Sequence, residues 1–177
     1  MDNNPLVYLN PVSMNNCPVT VAQNDKMVAI NAAMEIDLTG QCCSESIGPL
    51  QYSSTGGAAD FVRGTWYSKG GKSFMALHST YTDKNGEQRS RIVSHLKAGA
   101  IVTLTRTDVM YVATEYGVVC LRGKSLTERA RAMVSIAHPD FRQDLINYAK
   151  DVKYFVLPEH EKFEEEALPV AEGAGTR

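Results

Sequence analysis

A change of rhythm at Ser125 divides this chain of 177 residues into two kinds of structure. Ser125-Leu126-Thr127-Glu128 is a capping box: the serine hydroxyl and the glutamate carboxylate each reach back to a free backbone N–H. Leu126, Ala130, Met133, Val134 and Ala137 then recur on one helical face, with Glu128, Arg129 and Arg131 as its polar neighbours. Pro139 suits the first turn of a second helix. Asp140 sits at that helix's positive end, and Phe141, Leu145, Tyr148 and Val152 form its apolar stripe. Ahead of Ser125, short apolar and β-branched runs predominate. Residues 72–81 read as a strand centred on Phe74-Met75-Ala76-Leu77. Asn85-Gly86 is a hairpin signal that pairs this region with residues 89–95. Residues 100–105, 109–114 and 118–121 read as three further strands.

The first third is less sharply patterned. Leu6-Val7-Tyr8-Leu9 reads as a short strand, followed by a polar stretch through Asn16. Residues 17–23 suit a helical turn, with Pro18 near its start. Residues 27–37 are apolar and lack caps, so part of the segment reads as a buried strand, while its alanines keep a helix open. A loop over residues 51–61 leads into a helix over 58–67, which Gly70-Gly71 stops. Residues 154–157 read as a last strand. From Glu159 the chain is acidic and then rich in alanine and glycine, giving a domain over 1–157 and a flexible tail over 158–177. Strands interleaved with helices, plus one hairpin, predict an α/β domain with a mixed sheet.

Composition removes several classes of function. Net charge is -2, and the basic residues do not cluster into a nucleic-acid footprint. The longest apolar runs are too short to span a bilayer. Met1-Asp2-Asn3-Asn4-Pro5 has neither the basic start nor the apolar core of a secretory signal, which leaves the cytoplasm as the default compartment. Cys17, Cys42, Cys43 and Cys120 form no CxxC pair and no metal-ligand spacing, and they read as reduced thiols packed as small hydrophobes.

The loop from Ser53 to Asp60 is the best candidate for chemistry. Gly56-Gly57 lets the backbone approach a ligand, and the following helix start aims unpaired N–H groups at an anion or a carbonyl oxygen. The bland alternative is a tight connection. Glu35, Asp37, Asp60, Asp108 and Glu115 are the carboxylates available for acid/base or nucleophilic work, each equally suited to capping or ion pairing. Glu115, at a strand end beside Tyr116-Gly117, is placed to face a cleft. His138 precedes Pro139 and serves the helix junction. His78, His95 and His160 lie in unrelated contexts.

Five blocks, in order, carry a resemblance. They are Val28-Ala29-Ile30-Asn31-Ala32-Ala33-Met34-Glu35-Ile36-Asp37-Leu38-Thr39-Gly40-Gln41; Tyr52-Ser53-Ser54-Thr55-Gly56-Gly57-Ala58-Ala59-Asp60-Phe61-Val62-Arg63-Gly64; Ser90-Arg91-Ile92-Val93-Ser94-His95-Leu96; Arg106-Thr107-Asp108-Val109-Met110-Tyr111-Val112-Ala113-Thr114-Glu115-Tyr116-Gly117; and the run from Gly123-Lys124-Ser125-Leu126 through Ile136-Ala137-His138-Pro139-Asp140-Phe141-Arg142. Together they resemble the C-terminal domain of the acetyl-CoA hydrolase/transferase family, which includes 4-hydroxybutyrate, butyrate and succinate–acetate CoA-transferases. The resemblance covers residues 6–149.

It implies an open three-layer α/β/α domain with a mixed, mostly parallel sheet, one of two similar domains with the active site between them. It implies exchange of CoA between an acyl-CoA and a small carboxylate through a glutamyl-CoA thioester. The glutamate is expected upstream, in an N-terminal catalytic domain that would be this chain's partner, so no catalytic residue is expected here. This chain's implied share is contact with CoA from Asn31 and from Ser54, Gly56 and Gly57, whose N–H groups would help hold the thioester oxygen. CoA would be a substrate, with no tightly bound cofactor and no metal, and a homodimer is plausible for intact proteins. Two positions depart from the family's usual Ser-Gly-x-Gly-Gly-Gln: Ser54 replaces the first glycine and Ala58 the glutamine. A positive φ at residue 54 would strain the serine. The alternatives are a CoA- or partner-binding module without turnover, and an acetyl-CoA hydrolase domain.

Overall fold

The computed structural model describes residues 4–154. Two short helices, α1 (Val12–Asn15) and α2 (Pro18–Ala22), precede strands β1 (Val28–Ala32) and β2 (Glu35–Asp37). Three two-residue strands follow: β3 (Cys42–Cys43), β4 (Ser46–Ile47) and β5 (Leu50–Gln51). Helix α3 (Ala58–Tyr67) leads to β6 (Lys72–Ala76), then β7 (Thr80–Thr82), β8 (Gln88–Ser90) and β9 (Ile92–Val93). Strands β10 (Tyr111–Thr114) and β11 (Gly117–Cys120) precede helices α4 (Leu126–Ser135) and α5 (Pro139–Asp151).

Among the described residues the largest sheet has the order β1-β6-β10-β11. The first three strands are parallel and β11 is antiparallel to β10, so the sheet is mixed and mostly parallel. A smaller sheet, β3-β2-β9, extends the core, and β4-β5 and β7-β8 are two-stranded ribbons. Side chains alternate across a strand. Ala29, Met75, Val112 and Val119 therefore share one face of the main sheet, and all four are buried. Met75, Val112 and Val119 form one core with Val62 of α3, Met133 and Val134 of α4, and Leu145 of α5. The helices thus lie on a single face, and the second helical layer of a three-layer domain is not among the described residues.

Local chemistry explains the boundaries. Ser125 N–H donates to Glu128 Oε2 at 2.7 Å and Glu128 N–H to Ser125 Oγ at 3.4 Å, closing the expected capping box of α4. His138 Nδ1 accepts from Asp140 N–H at 3.3 Å, which caps α5 ahead of Pro139. Gly64 admits α2 against α3, because a Cβ there would lie 2.5 Å from the Val21 side chain. The expected hairpin forms with Thr80 opposite Ser90 and Gly86 at φ +82°.

Four expected strands change. Residues 6–9 pair with nothing, and Leu6, Tyr8 and Leu9 are largely exposed. Residues 27–37 split between two sheets, with β1 alternating and β2 buried throughout. Residues 72–81 split as well: Leu77 N–H reaches Ala113 O, but Ser79 N–H and Oγ turn aside to the Glu115 carboxylate. Over residues 100–105 only Leu104 bridges, exchanging both backbone hydrogen bonds with Cys42, while Ile101 N–H goes to Ser46 Oγ. The expected strand over 154–157 and the tail fall outside the described residues. Among the described residues no helix is long and apolar enough to cross a membrane.

Two outcomes follow from this packing. Met133 is fully buried, so Met133→Asp leaves a charge without a partner and destabilises by roughly 3–5 kcal/mol, read by urea unfolding. Burial pushes the Cys42 thiol up to about 12, whereas N–H groups of Thr20 and Val19 hold Cys17 below its ordinary value. At pH 8 iodoacetamide should therefore label Cys17 in the native protein, and Cys42 only after unfolding. Mass spectrometry of the labelled peptides reads the order.

Candidate active site

Parallel strands point their carboxyl ends to one edge of the sheet, and in open α/β sheets ligands bind along that edge. β1 ends there at Asn31-Ala32. Helix α3, which connects β1 to its parallel neighbour β6, must run the other way. Its last turn is tied to the amino end of β1: Met27 N–H donates to Ser68 Oγ at 3.1 Å and Lys26 N–H to Lys69 O at 2.8 Å. Ten helical residues span about 15 Å and five strand residues about 16 Å. The start of α3, at Gly56-Gly57, is thus brought to the same edge as Asn31.

Asn31 shares the helix-covered face with Ala29 and Met75, and its Nδ2 is buried with no hydrogen-bond partner. A buried amide donor without a partner is costly unless something outside the described residues accepts from it. Ser73 Oγ is also unpartnered, but it lies toward the amino end of β6. Gly57 caps α3 without any side-chain hydrogen bond, so the first-turn N–H groups lack a side-chain acceptor there.

The two glycines have different reasons to be glycine. Gly56 has φ +57°, and a Cβ there would face open space. Gly57 has φ -96°, and its Cβ would fall 2.3 Å from Asn16 Nδ2. Close approach, not positive φ, explains Gly57. Ser54 is exposed and is not among the non-glycine residues with positive φ, which are Lys26 and Lys153, so the serine is unstrained.

At the carboxyl ends of β6 and β10 a cleft of about 420 Å³ is lined by Ala76, Leu77, His78, Ala113, Thr114 and Glu115. Burial works against ionisation of Glu115. The Ser79 hydroxyl at 2.6 Å and N–H at 2.9 Å outweigh it and hold the carboxyl below its ordinary value. Both carboxylate oxygens are thereby engaged. A second depression, of about 290 Å³, lies between residues 81–97 and α5. Its cations are already paired, Lys97 with Glu35 and Tyr81, and Arg89 with Asp83 and Glu87.

The other carboxylates are structural. Asp37 Oδ1 accepts from Thr39 N–H, Thr39 Oγ1 and Gln41 N–H, and Oδ2 accepts from Gln41 Nε2. Asp108 pairs with Arg63, and Asp60 lies in the first turn of α3. Among the described residues no group of three His, Cys, Asp or Glu is arranged to hold a metal.

Over residues 1–149 the chain matches the acetyl-CoA hydrolase/transferase C-terminal domain. It is 52% identical over 150 residues to succinyl-CoA:cyclohexane-1-carboxylate CoA transferase of Geobacter metallireducens, covering 85% of this chain and 34% of that protein. It is 49% identical over 150 residues to 4-hydroxybutyrate coenzyme A transferase of Clostridium kluyveri, with the same coverage. The structure of RipA from Yersinia pestis superposes with a TM-score of 0.77 at 44% identity, over 86% of this chain and 34% of that one.

This chain belongs to the acetyl-CoA hydrolase/transferase family. It spans about a third of the length of the relatives it matches. The blocks of family resemblance acquire physical meaning in the fold. Asp37-Leu38-Thr39-Gly40-Gln41 is a turn closed on the Asp37 carboxylate, with Gly40 at φ +94° beneath Leu121 and Arg129.

Two residues near the glycine loop went unnoticed in the sequence. Glu45 is buried; its carboxylate accepts from Thr103 Oγ1 and Gln51 Nε2, and its carbonyl from Tyr52 and Ser53 N–H. It anchors the chain entering Ser54–Gly57, yet Ser44-Glu45-Ser46 looks like an ordinary polar loop. Asn16 braces Gly57 from another helix end, a contact that no local pattern announces.

Gly57→Ala should therefore lower stability by about 1 kcal/mol through crowding of Asn16. Asn16→Ala in the same chain should recover most of the loss. A double-mutant cycle by urea unfolding measures the coupling, and additive losses would assign the effect to Gly57 alone.

Proposed function

We propose that this chain forms the C-terminal side of the active site of an acyl-CoA:carboxylate CoA-transferase. The glutamate that takes the acyl group and then CoA lies in the part of the protein preceding this domain. Acyl-CoA and a small carboxylate are the substrates, and the setting is the cytoplasm, in keeping with four free cysteines. The relatives at 52% and 49% identity are both named CoA transferases, which favours a carboxylate over water as acyl acceptor.

The observation that carries this reading is the unpartnered Asn31 Nδ2 at the carboxyl end of β1, on the edge where α3 begins. A thioester oxygen gains negative charge when the carbonyl is attacked, and preorganised donors stabilise that charge. Asn31 is assigned as one donor. The N–H groups at Gly56 and Gly57 are the others, reinforced by the positive end of α3. Ser54 contacts CoA alongside them. Gly56 suits close approach because no side chain occupies the space in front of it. Glu115 is not the nucleophile, since Ser79 holds both its oxygens and keeps it a weak base.

The isolated chain should show no exchange of CoA from acetyl-CoA to butyrate or 4-hydroxybutyrate when followed by mass spectrometry. Replacing the matching region of the Clostridium kluyveri enzyme with this chain should give an active protein. In that protein Asn31→Ala should lower turnover about 10²–10³-fold with an unchanged melt. Turnover by the chain alone, or a covalent CoA adduct on Glu115, would overturn the assignment.

A further inference from the structure

Strands β1, β6 and β10 are parallel, and sheets of that kind are covered on both faces because crossover connections place helices there. Here α3, α4 and α5 share one face. The other is apolar and bare. Ile30 is 72% exposed, Val28 51% and Val118 55%. On the same face Phe74 stacks on Tyr111 with ring centroids 4.9 Å apart. These side chains come from four adjacent strands and form one patch rather than scattered exposures.

Three occupants compete for it. Residues 155–177 are rich in glutamate, a poor match to an apolar surface without cationic residues among those named. A second copy would bring two such faces together. The third is the protein that precedes this domain. The matched family domain is the C-terminal one, and the chain spans 34% of its relatives. Those relatives therefore carry a large further part. β1 is the first strand of the sheet in chain order and lies at its free edge, where a preceding strand–helix unit would join.

We propose that the face centred on Ile30 and Phe74 seats an amphipathic helical layer supplied by the part of the protein that precedes this domain. The layer completes the α/β/α sandwich and fixes the glycine loop relative to the upstream half. The proposal rests on the reading that an upstream part works with this chain.

One substitution in two contexts tests it. Ile30→Glu changes an exposed residue of the isolated chain, so its melting temperature should shift by no more than about 2 °C. In the fusion with the Clostridium kluyveri upstream region, the same change should lower the melt by more than about 5 °C. Tyr67→Glu, an exposed change on α3, should be neutral in both. An equally small effect of Ile30→Glu in both contexts overturns the proposal. So does an isolated chain that sediments as a dimer and becomes monomeric with Ile30→Glu. A large effect in the isolated chain that disappears on deleting residues 155–177 assigns the face to the tail, and also overturns it. Turnover of the fusion is read separately. An active fusion indifferent to Ile30→Glu keeps the proposed function and loses this inference; an inactive fusion destabilised by it does the reverse.

Discussion

Parallel pairing of β1 with β6, and of β6 with β10, governs how the rest of the chain is arranged. A parallel neighbour cannot be reached through a tight turn, so the chain must leave the sheet and return to its amino end. The first crossover passes through α3. The second is built from the β7-β8 hairpin and β9, a less regular route of about the same purpose. Because both return the same way, the carboxyl ends of all three strands face one edge. Asn31, the start of α3, and the cleft at His78 and Glu115 gather there because of direction alone.

Buried or partly buried carboxylates hold the crossings in place. Glu35 accepts from Lys97 N–H, Asp37 closes its own turn, Glu45 secures the approach to the glycine loop, and Glu115 turns the chain out of β6 at Ser79. Each satisfies backbone or side-chain donors where strand pairing stops, so removing a carboxylate strands its donors. This explains why a chain with several inward carboxylates offers no free nucleophile among them. Their oxygens are committed to shape.

The same sheet is finished on one side and open on the other. The finished side has a close-packed core, sealed by Met133, Val62 and Leu145 across the helices. The open side presents apolar side chains at the positions that alternate with the core. One-third coverage of the relatives and one-sided coverage of the sheet are consistent with each other: a domain assembled from part of a longer protein keeps half of its layers locally.

Local signals in the sequence determined what local physics controls. The capping box at Ser125–Glu128, the cap and proline at His138-Pro139, the Asn85-Gly86 hairpin and the helix over 58–67 all rest on neighbours within a turn or two, and all form. The glycine loop and Asn31 were legible only through family resemblance, since a double glycine and a lone asparagine carry little pattern of their own. Tertiary structure alone decided where apolar runs break. Residues 27–37 and 72–81 are continuous in composition, yet each divides where a distant partner captures the backbone: Cys43 O takes Met34 N–H, and Glu115 takes Ser79 N–H. It also decided that Leu6–Leu9 finds no strand, that Asn16 excludes a side chain at Gly57, and which strand face stays bare. Periodicity reports that a strand has two faces; what covers each is settled only by the elements packed against it.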